Sequence, residues 1–232
     1  MIRLLRCHFN YLLNRATLIV FFIVLLLALG GNLYADLYGT SLTGFRENNR
    51  YYFQNVFFIV SFLINFIAIF VFIHSFLPKN EYAPLLLTRC SRTSYFLSKL
   101  FVLSLFLLVF LYLLFCLFLL SGFIFVRGFS LSFTYIDSFF KLYLQNLYFG
   151  LFGLVVGQIL NNIYAVLIPF FLYNLSSMIN EEINRAVEVY NFFIPGFRAD
   201  VPELLLGGLH ILFMIVILIL TNLLLFLEKD LN

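Results

Sequence analysis

The chain has 232 residues, of which 63% are hydrophobic, 20% aromatic and only 11% charged. Its mean hydropathy is +1.04. Soluble domains carry about 25% charged residues, so this composition excludes a water-soluble fold and points to an integral membrane protein. The net charge of +3 excludes little by itself.

The fold class predicted is all-α integral membrane, with six transmembrane helices. A barrel needs alternating strands of about ten residues, whereas these apolar runs are continuous and about twice as long. Residues 1–15 read as an amphipathic interfacial helix. Arg3, Arg6, Asn10 and Asn14 recur at helical spacing, opposite Ile2, Leu5, Phe9, Leu12 and Leu13. Such a helix lies in the membrane interface with its arginines toward anionic lipid. The first span covers about 16–35 and exceeds an ordinary signal core, so it is expected to be retained.

The second span covers about 52–77. Pro78 and the Pro-Lys-Asn-Glu run end it, because proline cannot continue helical bonding cheaply. A basic segment without acids follows at 85–99, reading LLLTRCSRTSYFLSK. The third span, about 100–125, carries no charge. The fourth, about 138–160, ends in the polar turn Asn161-Asn162. The fifth, about 163–178, contains Pro169, which predicts a kink. Residues 179–203 form the longest polar stretch. The sixth span, about 204–227, is closed by Glu228, Lys229 and Asp230. The whole chain is read as a single transmembrane domain.

Orientation follows from the basic residues. With the N-terminus inside, Arg3, Arg6, Arg15, Lys79, Arg89, Arg92, Lys99 and Lys229 fall on the cytoplasmic side. Arg46, Arg50, Arg127, Lys141, Arg185 and Arg198 fall outside. Most acids also fall outside. Both termini are therefore expected in the cytoplasm, in a multi-pass protein of the plasma membrane.

Polar residues within the spans are few: Asn65, Gln145, Asn146, Gln158, Asn174 and Asn222. They are expected to face other helices, because an unsatisfied amide is costly in lipid. Lys141 is expected to snorkel to the interface. Cys7, Cys90 and Cys116 have no metal-motif spacing, and no metal ligand set is predicted. Glu181 and Glu182, followed by Arg185, approach the Glu-Glu-x-x-x-Arg pattern of CPBP-type intramembrane proteases. The spacing is one residue short, and Phe70 and His74 come in the wrong order for the second element. No catalytic residue is assigned.

The segment FLPKNEYAPLLLTRCSRTSYFLSKLF between the second and third spans resembles the first cytoplasmic loop of ABC-2-type transporter permeases. The leucine-rich turn, Arg-x-x-Arg, the aromatic pair and Ser-Lys carry the resemblance. The basic N-terminal helix, six spans and a long outer segment between spans five and six extend it over the whole chain. Family members with a longer acidic stretch carry Gly-Thr before the leucines; here only Glu81 and then Ala83-Pro84 stand there. The chain is thus most similar to small, divergent permeases of peptide and lantibiotic exporters in low-GC bacteria.

The resemblance implies that Glu81, Arg89, Arg92, Tyr95 and Lys99 couple the permease to an ATPase subunit. It implies short helices at the outer end, with Glu181, Glu182, Arg185, Phe193 and Pro195 at an extracellular gate. No Gly-x-x-x-x-Gly-Lys-Ser/Thr loop is present. The chain therefore needs no cofactor of its own, and ATP and Mg would sit on the partner ATPase. Implied partners are that ATPase, a second permease and the lipid bilayer, with no nucleic acid. The expected cargo is hydrophobic or amphipathic, a short peptide first. The alternative function is a non-transport membrane immunity or assembly protein.

Overall fold

A computed structural model describes residues 8, 23, 30, 64–76, 91–125, 129–178 and 204–228. All regular structure among them is helical. Helix α1 is Ile64–Phe76. Helix α2 is Arg92–Phe125 and α3 is Phe133–Leu160. A 3-10 turn at Ile163–Val166 leads into α4, Leu167–Met178. Helix α5 is Leu204–Glu228. Three of these helices are long and apolar enough to cross a membrane, over Arg92–Ile124, Tyr135–Leu160 and His210–Glu228. Ile64–Phe76 and Ile163–Tyr173 are shorter apolar helices. Of the expected first span only Ile23 and Gly30 are described, and the outer polar stretch lies outside the described residues.

Helix α2 is apolar on both sides. Leu103, Leu107, Phe110, Leu114 and Phe118 are buried at three- and four-residue spacing, while Phe101, Leu105, Leu108, Tyr112 and Phe123 are exposed. A soluble helix would place charge on the second face. Its hydroxyls fold back onto their own helix: Ser98 Oγ donates to the Tyr95 carbonyl at 2.9 Å and Ser121 Oγ to the Leu117 carbonyl at 2.9 Å. That satisfies polar atoms where water is absent.

Helix α3 is the hub, packing against α2, α4, α5 and the 3-10 turn. Its seam with α1 is made by glycines. A methyl group at Gly153 would lie 2.6 Å from Ile69 Cγ2, and one at Gly157 would lie 3.0 Å from Ile73 Cγ2. The Gly153-to-Gly157 spacing is the small-xxx-small pattern that lets helix backbones approach closely. Ile69 and Ile73 follow Gly153 and Gly157 in the same order, so α1 and α3 run parallel.

Two helices extend on their N-terminal side beyond the apolar spans expected from the sequence. Helix α2 begins at Arg92 rather than near 100. Ser91 caps it, accepting from the Ser94 amide at 3.3 Å, as a serine N-cap does. Helix α3 begins at Phe133 rather than near 138, where Phe129 folds back and stacks on Tyr135 at 5.9 Å. The turn after Leu160 is built by Asn161, which has φ 53°, and by Asn162, whose Oδ1 accepts from the Tyr164 amide at 3.1 Å. Asparagine tolerates that left-handed backbone better than other side-chain-bearing residues. The change in helical geometry falls at Val166–Leu167, ahead of Pro169. Pro169 stands in the first turn of α4, where a missing amide hydrogen is tolerated. Lys141 does not stand alone either: it pairs with Asp137 at 3.0 Å, one turn earlier on α3.

Candidate functional site

The first two turns of α2 carry three of the residues that the family resemblance assigns to coupling, and they behave differently. Arg92 is exposed at the helix start. Tyr95 and Lys99 are buried, with Lys99 only 6% exposed. Basic residues at a helix N-terminus oppose the helix dipole by about 0.3–1 kcal/mol, and no acid occupies this first turn. Their position therefore does not stabilise the helix, and its reason lies elsewhere. Glu81, Arg89, Arg3 and Arg6 lie outside the described residues, as do Glu181, Glu182, Arg185, Phe193 and Pro195.

Lys99 sits in an aromatic cup. Its Nζ donates to the Tyr95 hydroxyl at 3.3 Å. It lies 4.8 Å from the Phe76 ring centroid and 5.4 Å from that of Tyr95. Such contacts contribute about 0.5–2 kcal/mol each, more as water is excluded. Phe226 stacks on Tyr95 at 6.2 Å and lies 5.4 Å from Phe96, which itself lies 5.3 Å from Phe76. His8 meets Tyr95 edge-to-face at 5.0 Å. The cup thus ties together the end of α1, the start of α2, the end of α5 and one residue of the N-terminal segment. No carboxylate among the described residues pairs with Lys99.

The cup is built of aromatic and cation–π contacts. It offers no nucleophile–base pair, and no group of three metal-ligating side chains occurs among the described residues. His74, considered for a protease motif, is exposed and stacks on Phe70 at 5.8 Å. The electrostatic feature of the cup is His8. Burial in apolar surroundings, and secondarily the Lys99 charge, push its imidazole down to about 4. The neutral ring is therefore the form held in the cup at neutral pH.

The interior of the bundle carries buried amides. Asn65, Gln145, Asn146 and Asn222 are all buried, as expected from the cost of exposing them to lipid. Gln158 is half-buried, and the Asn174 side chain lies outside the described set. Asn222 joins α5 to α3, its Nδ2 donating to the Leu151 carbonyl at 3.0 Å. The Asn146 Nδ2 donates to the Leu142 carbonyl of its own helix at 2.7 Å. Asn65 is 0% exposed, and neither end of its amide has a hydrogen-bond partner among the described residues.

That isolation makes a prediction. Leucine has the same number of side-chain heavy atoms as asparagine and branches at the same carbon. An unsatisfied buried polar group costs about 1–3 kcal/mol. Asn65→Leu is expected to raise the thermal unfolding midpoint of the purified protein. An unchanged midpoint would show that Asn65 is hydrated in the native protein.

Sequence reasoning missed His8, Phe76 and Phe226 as parts of the cup. No local pattern marks them, because they converge from three distant segments. It also missed the glycine seam, for which Gly-x-x-Gly-x-x-x-Gly at 150–157 was a readable signal.

Compared with protein-family models and with curated proteins, the chain matches none.

Proposed function

We propose that this chain is the membrane subunit of an ABC-2-type exporter, working with a separate ATPase. In this reading it spans the plasma membrane six times with both termini in the cytoplasm. Two such subunits and two ATPase subunits form the working unit, with ATP and Mg bound by the ATPases. The observation that carries the reading is the start of α2. At 1.5 Å per residue, its 34 residues extend about 51 Å, against a hydrocarbon core of about 30 Å. Residues 92–99 thus form a rigid extension beyond the span expected at 100–125. The exposed Arg92 stands at its tip, and its base is clamped to the ends of α1 and α5. A push at that tip is passed to three helices at once, which is the task of a coupling element.

The charge pattern agrees with this placement. The basic extension belongs on the cytoplasmic side by the positive-inside rule. The long spanning helices carry few charges, and Lys141 is neutralised by Asp137. Ionisable residues within the membrane mark many ion and proton pathways; with few of them here, the cargo proposed is hydrophobic or amphipathic, a short peptide first.

Purification of the tagged chain from its native membrane in mild detergent tests the proposal. A P-loop ATPase is expected to co-purify, and deletion of the gene is expected to change secretion of, or sensitivity to, amphipathic peptides. Consistent recovery of the chain without an ATPase would favour the immunity or assembly role. An altered lipid or drug profile beside an unchanged peptide profile would overturn the cargo alone.

A further inference from the structure

Lys99 is a cation enclosed where α1, α2 and α5 meet. It is 6% exposed, and no carboxylate among the described residues pairs with it. Its ammonium donates to the Tyr95 hydroxyl at 3.3 Å. The Phe76 and Tyr95 rings lie 4.8 Å and 5.4 Å from Nζ. Phe226 closes the cup, in ring contact with Phe76, Tyr95 and Phe96. A methionine of similar length would fill the same space with no charge to desolvate.

Aromatic faces attract a cation, but a buried charge is costly unless it is paired and hydrogen-bonded. Among the described residues, Lys99 has ring faces and one hydrogen bond in place of a counter-ion. Closing the cup therefore strips water from the ammonium without fully replacing it, and opening restores that water. The apolar contacts among Phe76, Phe96 and Phe226 pull the other way. Water is within reach, because Phe76 ends α1 and Phe226 lies in the last turn of α5.

We propose that Lys99 is a release element: its ammonium, enclosed without a counter-ion among the described residues, keeps the cup between α2 and the ends of α1 and α5 close to opening. Closed, the cup moves the three helices together. Open, it frees α2 from α1 and α5. The consequence for transport rests on the exporter reading, whereas the opening itself does not.

Lys99→Met keeps the length of the side chain and removes the charge. Exchanging buried ionic groups for well-packed apolar ones is often stabilising, so this variant locks the cup. Its thermal midpoint is expected to rise, and backbone hydrogen exchange in the last turns of α5 to slow. It should retain the ATPase and lose transport. Tyr95→Phe keeps the ring and removes the hydroxyl that accepts from Lys99. A hydrogen bond to a charged group is worth about tenfold in such an equilibrium, so Lys99 should be exposed about tenfold more often in that variant.

The test uses the full chain in lipid nanodiscs. Acetylation of the Lys99 amine by an N-hydroxysuccinimide ester, read by peptide mass spectrometry, reports opening. In the unaltered protein it should reach completion, more slowly than in denatured protein, and Tyr95→Phe should speed it. An unreactive Lys99 in the unaltered protein would overturn the proposal, because the cup would then stay closed. A rate equal to that of denatured protein would overturn it as well, because the ammonium would not be enclosed. So would a lowered midpoint in Lys99→Met, which would make the charge a net stabiliser. Normal transport by Lys99→Met with a raised midpoint would remove the role in transport. If the unaltered chain retains no ATPase, the exporter reading falls, while acetylation and exchange still decide the opening of the cup.

Discussion

A leucine at Gly153 is expected to abolish the folded, monodisperse protein. Even a single methyl there would sit 2.6 Å from Ile69 Cγ2. Ile69 is fully buried, and its branched β-carbon leaves little freedom to turn away. Pro169 closes the other side, with its Cγ 3.4 Å from the same position. The insertion must therefore separate α1 from α3. Without water inside the membrane, helix association depends on such packing rather than on a hydrophobic driving force. Overpacking of this kind costs about 1–3 kcal/mol for small additions, which is the expectation for Gly153→Ala. Larger side chains should exceed it.

The cause can be isolated with a double-mutant cycle. Ile69→Ala alone should cost about 2–5 kcal/mol through the cavity it leaves. Combined with Gly153→Ala, it should cost less than the two changes added, because the alanine methyl enters the space vacated by Ile69. Gly30→Ala is the control, since a methyl there meets nothing within 4 Å. Thermal midpoints in detergent would decide it. Strict additivity of the two core changes would show that the close approach at Gly153 does not govern the seam.

Charge reversal of Arg89 and Arg92 together is expected to remove ATPase association while leaving membrane insertion intact. Arg92 is exposed at the start of the helix, so glutamate there faces water rather than the core. A glutamate in the first turn even suits the helix dipole, so folding is not the vulnerable step. What changes is the sign of the charge offered to a partner. Like-charge contacts across an interface cost several kcal/mol, enough to lower retention of the ATPase at least tenfold. Loss of the complex with an unchanged thermal midpoint would support coupling through this tip. Full retention of ATPase and normal transport would reduce both arginines to topology signals.

The helical class and the apolar character of the chain were legible in composition alone, because so few charges cannot cover a soluble surface. The break after Leu160 was legible too, since two adjacent asparagines supply both the left-handed residue and the cap. Inward placement of Asn65, Gln145, Asn146 and Asn222 followed from the cost of an amide in lipid. The start of α2 was not legible. Hydropathy locates the apolar span from Leu100 onward, but a helix continues wherever its amides are capped, and here Ser91 provides the cap. The fate of Lys99 was equally hidden. By sequence it is one more basic residue of an interfacial loop. Only tertiary structure brings Phe76 and Phe226 around it and sets His8 against Tyr95, because the cup draws one wall from each of three remote segments. Pattern along a chain reports which side chains must leave water or lipid. Which of them then meet is decided by how closely the helices pack, as at the seam where Gly153 and Gly157 let α1 approach α3.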